Sequence, residues 1–190
     1  MFAESIENED ILKLPRLSFP GHIKLINTEK EAKEWLPKLS CQNIIGFDTE
    51  TKPSFRKGKS NGVALLQLAN SDIALIIRLQ NIGLPNCLIK LLQDKEILKI
   101  GAAIHDDIKA LQKIRSFKPE GFIDLQNFVK VKGIESKSVR KLAAIVMNAR
   151  ISKSQQLSNW ESDSLTEAQL QYAATDAWIC AEIYKKLNEF

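Results

Sequence analysis

Long apolar runs are missing from this 190-residue sequence: runs such as IIGF and ALII are broken by charge within a few residues. Nothing approaches the roughly 20 apolar residues of a membrane span, so no membrane partner is expected. A basic region followed by an apolar one is also missing at the N-terminus, where MFAESIENEDILKL carries acids instead, which argues against a secretory signal. Cysteine is scarce: Cys41, Cys87 and Cys180 are odd in number, far apart, and show no CxxC or histidine-rich spacing. That argues against a disulfide framework or a zinc ribbon and leaves reduced core thiols in a cytoplasmic protein as the expectation. There is no internal repeat and no low-complexity tract. What remains is an ordinary globular composition, 44% hydrophobic and 26% charged, in a length that suits one hydrophobic core. The net charge of +4 permits a nucleic-acid or other polyanionic partner without requiring one.

Residues 1–20, with mixed charge and two prolines, read as an arm lying on a domain of residues 21–190. Within that domain, period-two and short apolar runs predict strands over 22–27, 43–48, 63–68, 73–77, 98–101 and 122–125. Helical stripes predict helices starting after Thr28 and Pro85, and over 104–114, 125–131, 138–147 and 166–187, with Thr28 and Thr166 as N-caps. Residues 52–62 are polar, basic and turn-rich and read as a loop. Three sequential strands followed by alternating helix and strand and then by helices give a mixed sheet flanked by helices.

Acids occupy faces where acids are costly. In the strand IIGFDTET, Asp48 and Glu50 share a face while Phe47 and Thr49 take the other. Either the strand has left the core by residue 48 and both acids are solvated, or a cation neutralises them, and a hard divalent ion such as Mg²⁺ or Mn²⁺ suits oxygen ligands. In GAAIHDDIKAL, with Ile104 set at zero and about 100° per residue, Asp107 falls at about 300°, inside the apolar arc, and Asp106 outside it. An acid favoured by the dipole of the helix N-terminus is the competing explanation. In the last helix Tyr172 and Asp176 sit one turn apart in the middle of the apolar stripe, where an unpaired Asp is rare.

These residues resemble a family. FDTET, GAAIHDDIKAL and the YxxxD of Tyr172-Ala-Ala-Thr-Asp176, in that order and spacing, are similar to the three motifs of the DEDD superfamily of 3′-to-5′ exonucleases, in its tyrosine branch. LSNWESDSLTEAQLQYAATDA is especially like the Werner-type and ribonuclease D exonuclease domains. The resemblance covers roughly residues 20 to 190 and implies a ribonuclease-H-like α/β fold, a mixed five-stranded sheet with helices on both sides. It implies that Asp48, Glu50, Asp107 and Asp176 hold two divalent ions, Mg²⁺ or Mn²⁺, and that Tyr172 orients the attacking water. It implies as partner a nucleic acid, presented as a single strand or as the 3′ end of a duplex. Asp124 matches a recurrent family acid and reads as structural rather than metal-ligating.

Contacts to nucleic acid are looked for in basic and stacking side chains. Phe55, Arg56, Lys57 and Lys59 lie just after the first motif, and Lys130, Lys132, Lys137, Arg140 and Lys141 form a second basic region, with Lys153 further on. Each set either grips phosphate or is a solvated surface. Trp160 either packs beneath the site or touches a base. The expected activity is metal-dependent removal of nucleotides from the 3′ end of DNA or RNA, and the alternative is a catalytically silent nucleic-acid-binding module of the same fold.

Overall fold

The computed structural model describes residues 2–54 and 61–189. Its elements, in chain order, are α1 (Asn8–Lys13), β1 (His22–Ile26), α2 (Glu29–Leu39), β2 (Ile44–Thr51), β3 (Val63–Ala69), β4 (Ile73–Arg78), α3 (Leu79–Ile82), α4 (Asn86–Leu92), β5 (Leu98–Gly101), α5 (His105–Ile114), β6 (Phe122–Asp124), α6 (Leu125–Val131), α7 (Val139–Met147) and α8 (Glu167–Asn188). None of the described helices is long and apolar enough to cross a membrane. Both N-caps read from the sequence form. Thr28 and Thr166 accept from the amides of Glu31 and Gln169, whose side chains accept in return from the N-cap amides.

The strands make one sheet in the order β1-β4-β3-β2-β5-β6. β2, β3 and β4 form an antiparallel meander, and β1, β5 and β6 join in parallel on the outside. The sheet thus has six strands where the resemblance implies five. The difference lies at the edges, where β1 pairs with β4 and the three-residue β6 with β5, so that each takes up backbone groups its neighbour would otherwise leave open. The meander turn is closed by Asn70, whose side-chain oxygen accepts from the amides of Asp72 and Ile73 while its amide donates to the Leu39 carbonyl.

Helices cover both faces, which is why β3 is buried at every position. Ile45, Phe47, Leu66 and Leu68 point into a core shared with α2, α4 and α5. Leu65, Ala69 and Ile76 point into a second core with α6, α7 and α8. The β2–β3 ladder slips by one residue beside Glu50, where Ala64 is left between the Glu50–Leu65 and Thr51–Val63 pairs. Residues before β1 are tied down as well. Leu17 donates to the Arg150 carbonyl, Phe19 donates to the Thr175 hydroxyl, and the Phe19 ring is buried 5.8 Å from that of Trp178.

One glycine sets how closely α8 approaches the sheet. A Cβ at Gly46 would lie 1.8 Å from the Ala177 carbonyl oxygen, so the backbones of β2 and α8 are in contact there. Asp48 is two residues further along β2, and Asp176 precedes Ala177. Gly46→Ala is expected to cost about 3 kcal/mol, because neither backbone can yield as a flexible side chain would. In a chain of this size that corresponds to a loss of roughly 6–12 °C in Tm. Gly62→Ala, where nothing lies within 4 Å of the added Cβ, is the control and should melt with the wild type.

Candidate active site

β2 carries Asp48 and Glu50 on the face that looks toward α8, and α8 carries Tyr172 and Asp176 one turn apart on the side packed against β2. One carboxylate oxygen from each of Asp48, Glu50 and Asp176 lies within 4.8 Å of the others. They line a cavity of about 250 Å³ together with Gln156, Tyr172 and Cys180. Asp107 comes from α5, on the opposite face of the sheet, and among the described residues it is not part of that three-acid group. Its carboxylate accepts a hydrogen bond from the hydroxyl of Thr49, the β2 residue between the other two acids. Asp106 is exposed, and Asp107 is half-buried, in keeping with the helix-face argument. The β5–α5 turn that presents Asp107 passes through Ala103 in a left-handed conformation (φ 58°), and the Ala103 amide donates to Asp124. Asp124 also caps α6 through the Gln126 amide, a structural role.

Proximity and burial act together on these acids. Burial is the main cause that raises Asp48 far above the usual carboxylate range, followed by the charges of Asp176, Glu50 and Asp107. Burial, then Asp176 and Asp107, pushes Glu50 up to about 8. Asp176 rises to about 6 through burial, opposed by the hydrogen bond from the Tyr172 hydroxyl and by the positive charge of Lys153. Asp107 is also raised by burial, with the Thr49 hydroxyl pulling the other way. Tyr172 is raised through burial and through its bond to the negative Asp176, so it stays protonated. Three oxygen donors so close that each opposes the ionisation of the next fit a hard divalent cation, which would neutralise them.

Other expectations fare differently. Trp160 is completely buried and its ring centroid lies 5.9 Å from that of Tyr172. The base-contact reading is therefore corrected: an indole with no exposed face cannot stack on a nucleotide, and it packs against Tyr172 instead. Phe55, Arg56, Lys57 and Lys59 lie outside the described residues. His105 is exposed at the start of α5. Thr49 is the participant that sequence reasoning missed. Its alternation places it correctly on the far face, but its partner is 58 residues away and nothing local announces the bond. Cys180, one turn beyond Asp176, also lines the cavity, and its position on the α8 wheel was the available signal.

With this geometry in hand, comparison with known proteins is informative. The 3′-5′ exonuclease family model matches residues 23–189, and the chain belongs to that family. It is 33% identical over 185 residues to the mouse (Mus musculus) bifunctional 3′-5′ exonuclease/ATP-dependent helicase WRN, covering 92% of this chain and 13% of that protein. The solved EXO domain of Aedes aegypti Nibbler superimposes with a TM-score of 0.81 at 27% identity, covering 91% of each chain. Escherichia coli RNase D superimposes with a TM-score of 0.79 at 24% identity, over 88% of this chain and 44% of that one, a likeness of fold. The chain thus spans only part of the length of those two larger proteins.

The raised carboxylates make stability depend on pH. Below about 4.5 the acid at position 50 is protonated in both folded and unfolded chains; between there and about 8 the folded chain keeps a proton that the unfolded one releases. Stability therefore falls as pH rises through that window. In EDTA, Tm is expected to drop by roughly 5 °C or more between pH 5 and 8.5, the shift of about 2 kcal/mol in a chain this size. Glu50→Gln should flatten the slope, and Mg²⁺ should restore the wild-type Tm at pH 8.5. Equal slopes for variant and wild type would remove Glu50 as the cause.

Proposed function

We propose that the protein is a metal-dependent 3′-to-5′ exonuclease that hydrolyses phosphodiester bonds at the 3′ end of DNA or RNA. The observation that carries this is the group of three carboxylates within 4.8 Å of one another, set beside a protonated tyrosine in a chain of the 3′-5′ exonuclease family. Asp48, Glu50 and Asp176, with Asp107 alongside, would hold the divalent metal, read as two Mg²⁺ or Mn²⁺ ions. Such ions supply positive charge to the scissile phosphate and acidify the attacking water. Residues 21–190 are the catalytic domain in this reading and residues 1–20 its arm; the match over 23–189 supports the division. The cytoplasmic location belongs to the same proposal and rests on the sequence.

The remaining work falls to the chain's own residues. Tyr172 keeps its proton and donates to Asp176, so it serves as a fixed donor that orients water rather than as a base. Thr49 holds Asp107 in place from the neighbouring strand. Trp160, packed against Tyr172, limits where that ring can move. The alternative, a silent nucleic-acid-binding module, draws on one observation: Asp107 is engaged by Thr49 rather than gathered with the other three acids.

A time course on a 5′-labelled single strand and a recessed 3′ duplex, each as DNA and as RNA, tests the proposal. With Mg²⁺ or Mn²⁺ the expected result is a ladder shortening from the 3′ end, lost with EDTA and in Asp48→Ala. Tyr172→Phe should retain metal binding while slowing hydrolysis on the order of 100-fold. Intact label in every lane, with folded protein and metal present, would overturn the proposal and favour the binding module.

A further inference from the structure

Beside the acidic cavity lies a second one, of about 180 Å³, in which two cations, Arg140 and Lys153, share the lining with a single acid, Asp176. Arg140 and Lys153 line it together with Ser152, and four of its walls, Val139, Gln156, Tyr172 and Asp176, are walls of the acidic cavity too. The two cavities therefore adjoin across the Tyr172–Asp176 turn of α8. Neither Arg140 nor Lys153 forms an ion pair with any described residue. Lys153 is close enough for its charge to act on Asp176.

Position separates these two cations from the other basic candidates. Lys130 and Lys137 line a different cavity, with Glu4 and Glu135, which shares no wall with the acidic one. Arg140 and Lys153 come from the first turn of α7 and from the loop that follows that helix, and converge on space next to the acids. Hydroxyl and amide groups from Ser152 and Gln156 add hydrogen-bonding capacity without adding negative charge. Paired cations with neutral donors around an open cavity suit a phosphate group, which takes up both charge and hydrogen bonds.

We propose that Arg140 and Lys153 form a phosphate-binding subsite adjoining the acidic cavity. The occupant is a phosphate of the bound strand next to the one under attack, or the phosphate of a released nucleoside 5′-monophosphate. This assignment rests on the exonuclease reading for its substrate, but its test does not depend on hydrolysis. Cations here let the protein hold a polyanion against a cluster of carboxylates that would otherwise repel it. The grip is sequence-independent, as removal of successive nucleotides requires.

Binding of a fluorescein-labelled six-nucleotide thymidine strand, followed by anisotropy in EDTA over a range of salt, provides the test. Lys153→Gln and Arg140→Gln are each expected to weaken binding about fivefold to tenfold and to lower the salt slope by about 0.7, the value for one phosphate contact on a single strand. Lys153→Arg should bind as wild type. Lys95→Gln, in an exposed Lys95–Glu96 pair preceding β5, should change neither quantity. Competition by thymidine 5′-monophosphate distinguishes the sources. If it displaces the strand from wild type and loses potency in the variants, the subsite takes the nucleotide phosphate; if its potency is the same in all, the subsite takes a phosphate within the strand. A double variant that binds within twofold of wild type with an unchanged slope, a Lys95→Gln loss equal to that of Lys153→Gln, or a wild type that does not bind would each overturn the subsite. Because no metal is present and no cleavage is read, loss of binding in the variants supports the subsite even if the ladder assay fails.

Discussion

The contact between the backbones of β2 and α8 at Gly46 and Ala177 is the constraint on which the rest of this structure depends. Any side chain at position 46 would push the helix off the sheet, because the atom it meets is a carbonyl oxygen and not the end of a mobile side chain. The two backbones meet within two residues of Asp48 and beside Asp176, so their closeness draws those carboxylates together. The apolar core on the same face, with Tyr172, Ile179 and Ile183 of α8 against Leu65 and Ile76 of the sheet, supplies the burial that holds the helix down. A cluster of like charges is thus assembled by apolar packing around it, against its own repulsion.

That repulsion is the price of the site and also its use. Burial and neighbouring charge raise both Asp48 and Glu50, Glu50 to about 8, and so leave the site with an outstanding demand for positive charge. The chain meets the demand partly with its own groups, through the Tyr172 hydroxyl and the charge of Lys153 at Asp176 and the Thr49 hydroxyl at Asp107. Rigidity comes from the surroundings. Arg78, itself buried, donates to the carbonyls of Ser162 and Asp163 and so holds the loop that carries Trp160, while Lys52 and Glu161 pair at 3.2 Å across the two segments flanking the site. The acidic cavity therefore sits between parts of the chain that are fixed independently of it.

Much of the architecture was legible because its signals are local. Six strands and the main helices were readable from periodicity, and Thr28 and Thr166 from N-cap chemistry, since each depends on residues within one turn or one pleat. The short α1 and α3 were not, having too few residues to show a period. The edge strand count also escaped the family expectation, because pairing at a sheet edge depends on which segment crosses over to reach it. Asp106 and Asp107 could be told apart by helix face alone. Trp160 could not be placed, since an aromatic in a loop has no periodicity to say whether it faces the core.

What the sequence determined by itself was the direction of each acid: alternation along β2 turned Asp48 and Glu50 to one face, and the 3.6-residue repeat turned Asp107, Tyr172 and Asp176 inward, because these periods are properties of the local backbone. What only the tertiary structure decided was which of those groups meet. Asp48 and Glu50 find Asp176 more than a hundred residues away, Thr49 finds Asp107 across the sheet, Trp160 is closed in against Tyr172, and Arg140 and Lys153 come to share one cavity. Each of these meetings is set by the order of strands and the seating of α8, and burial of the two apolar cores fixes both for the chain as a whole.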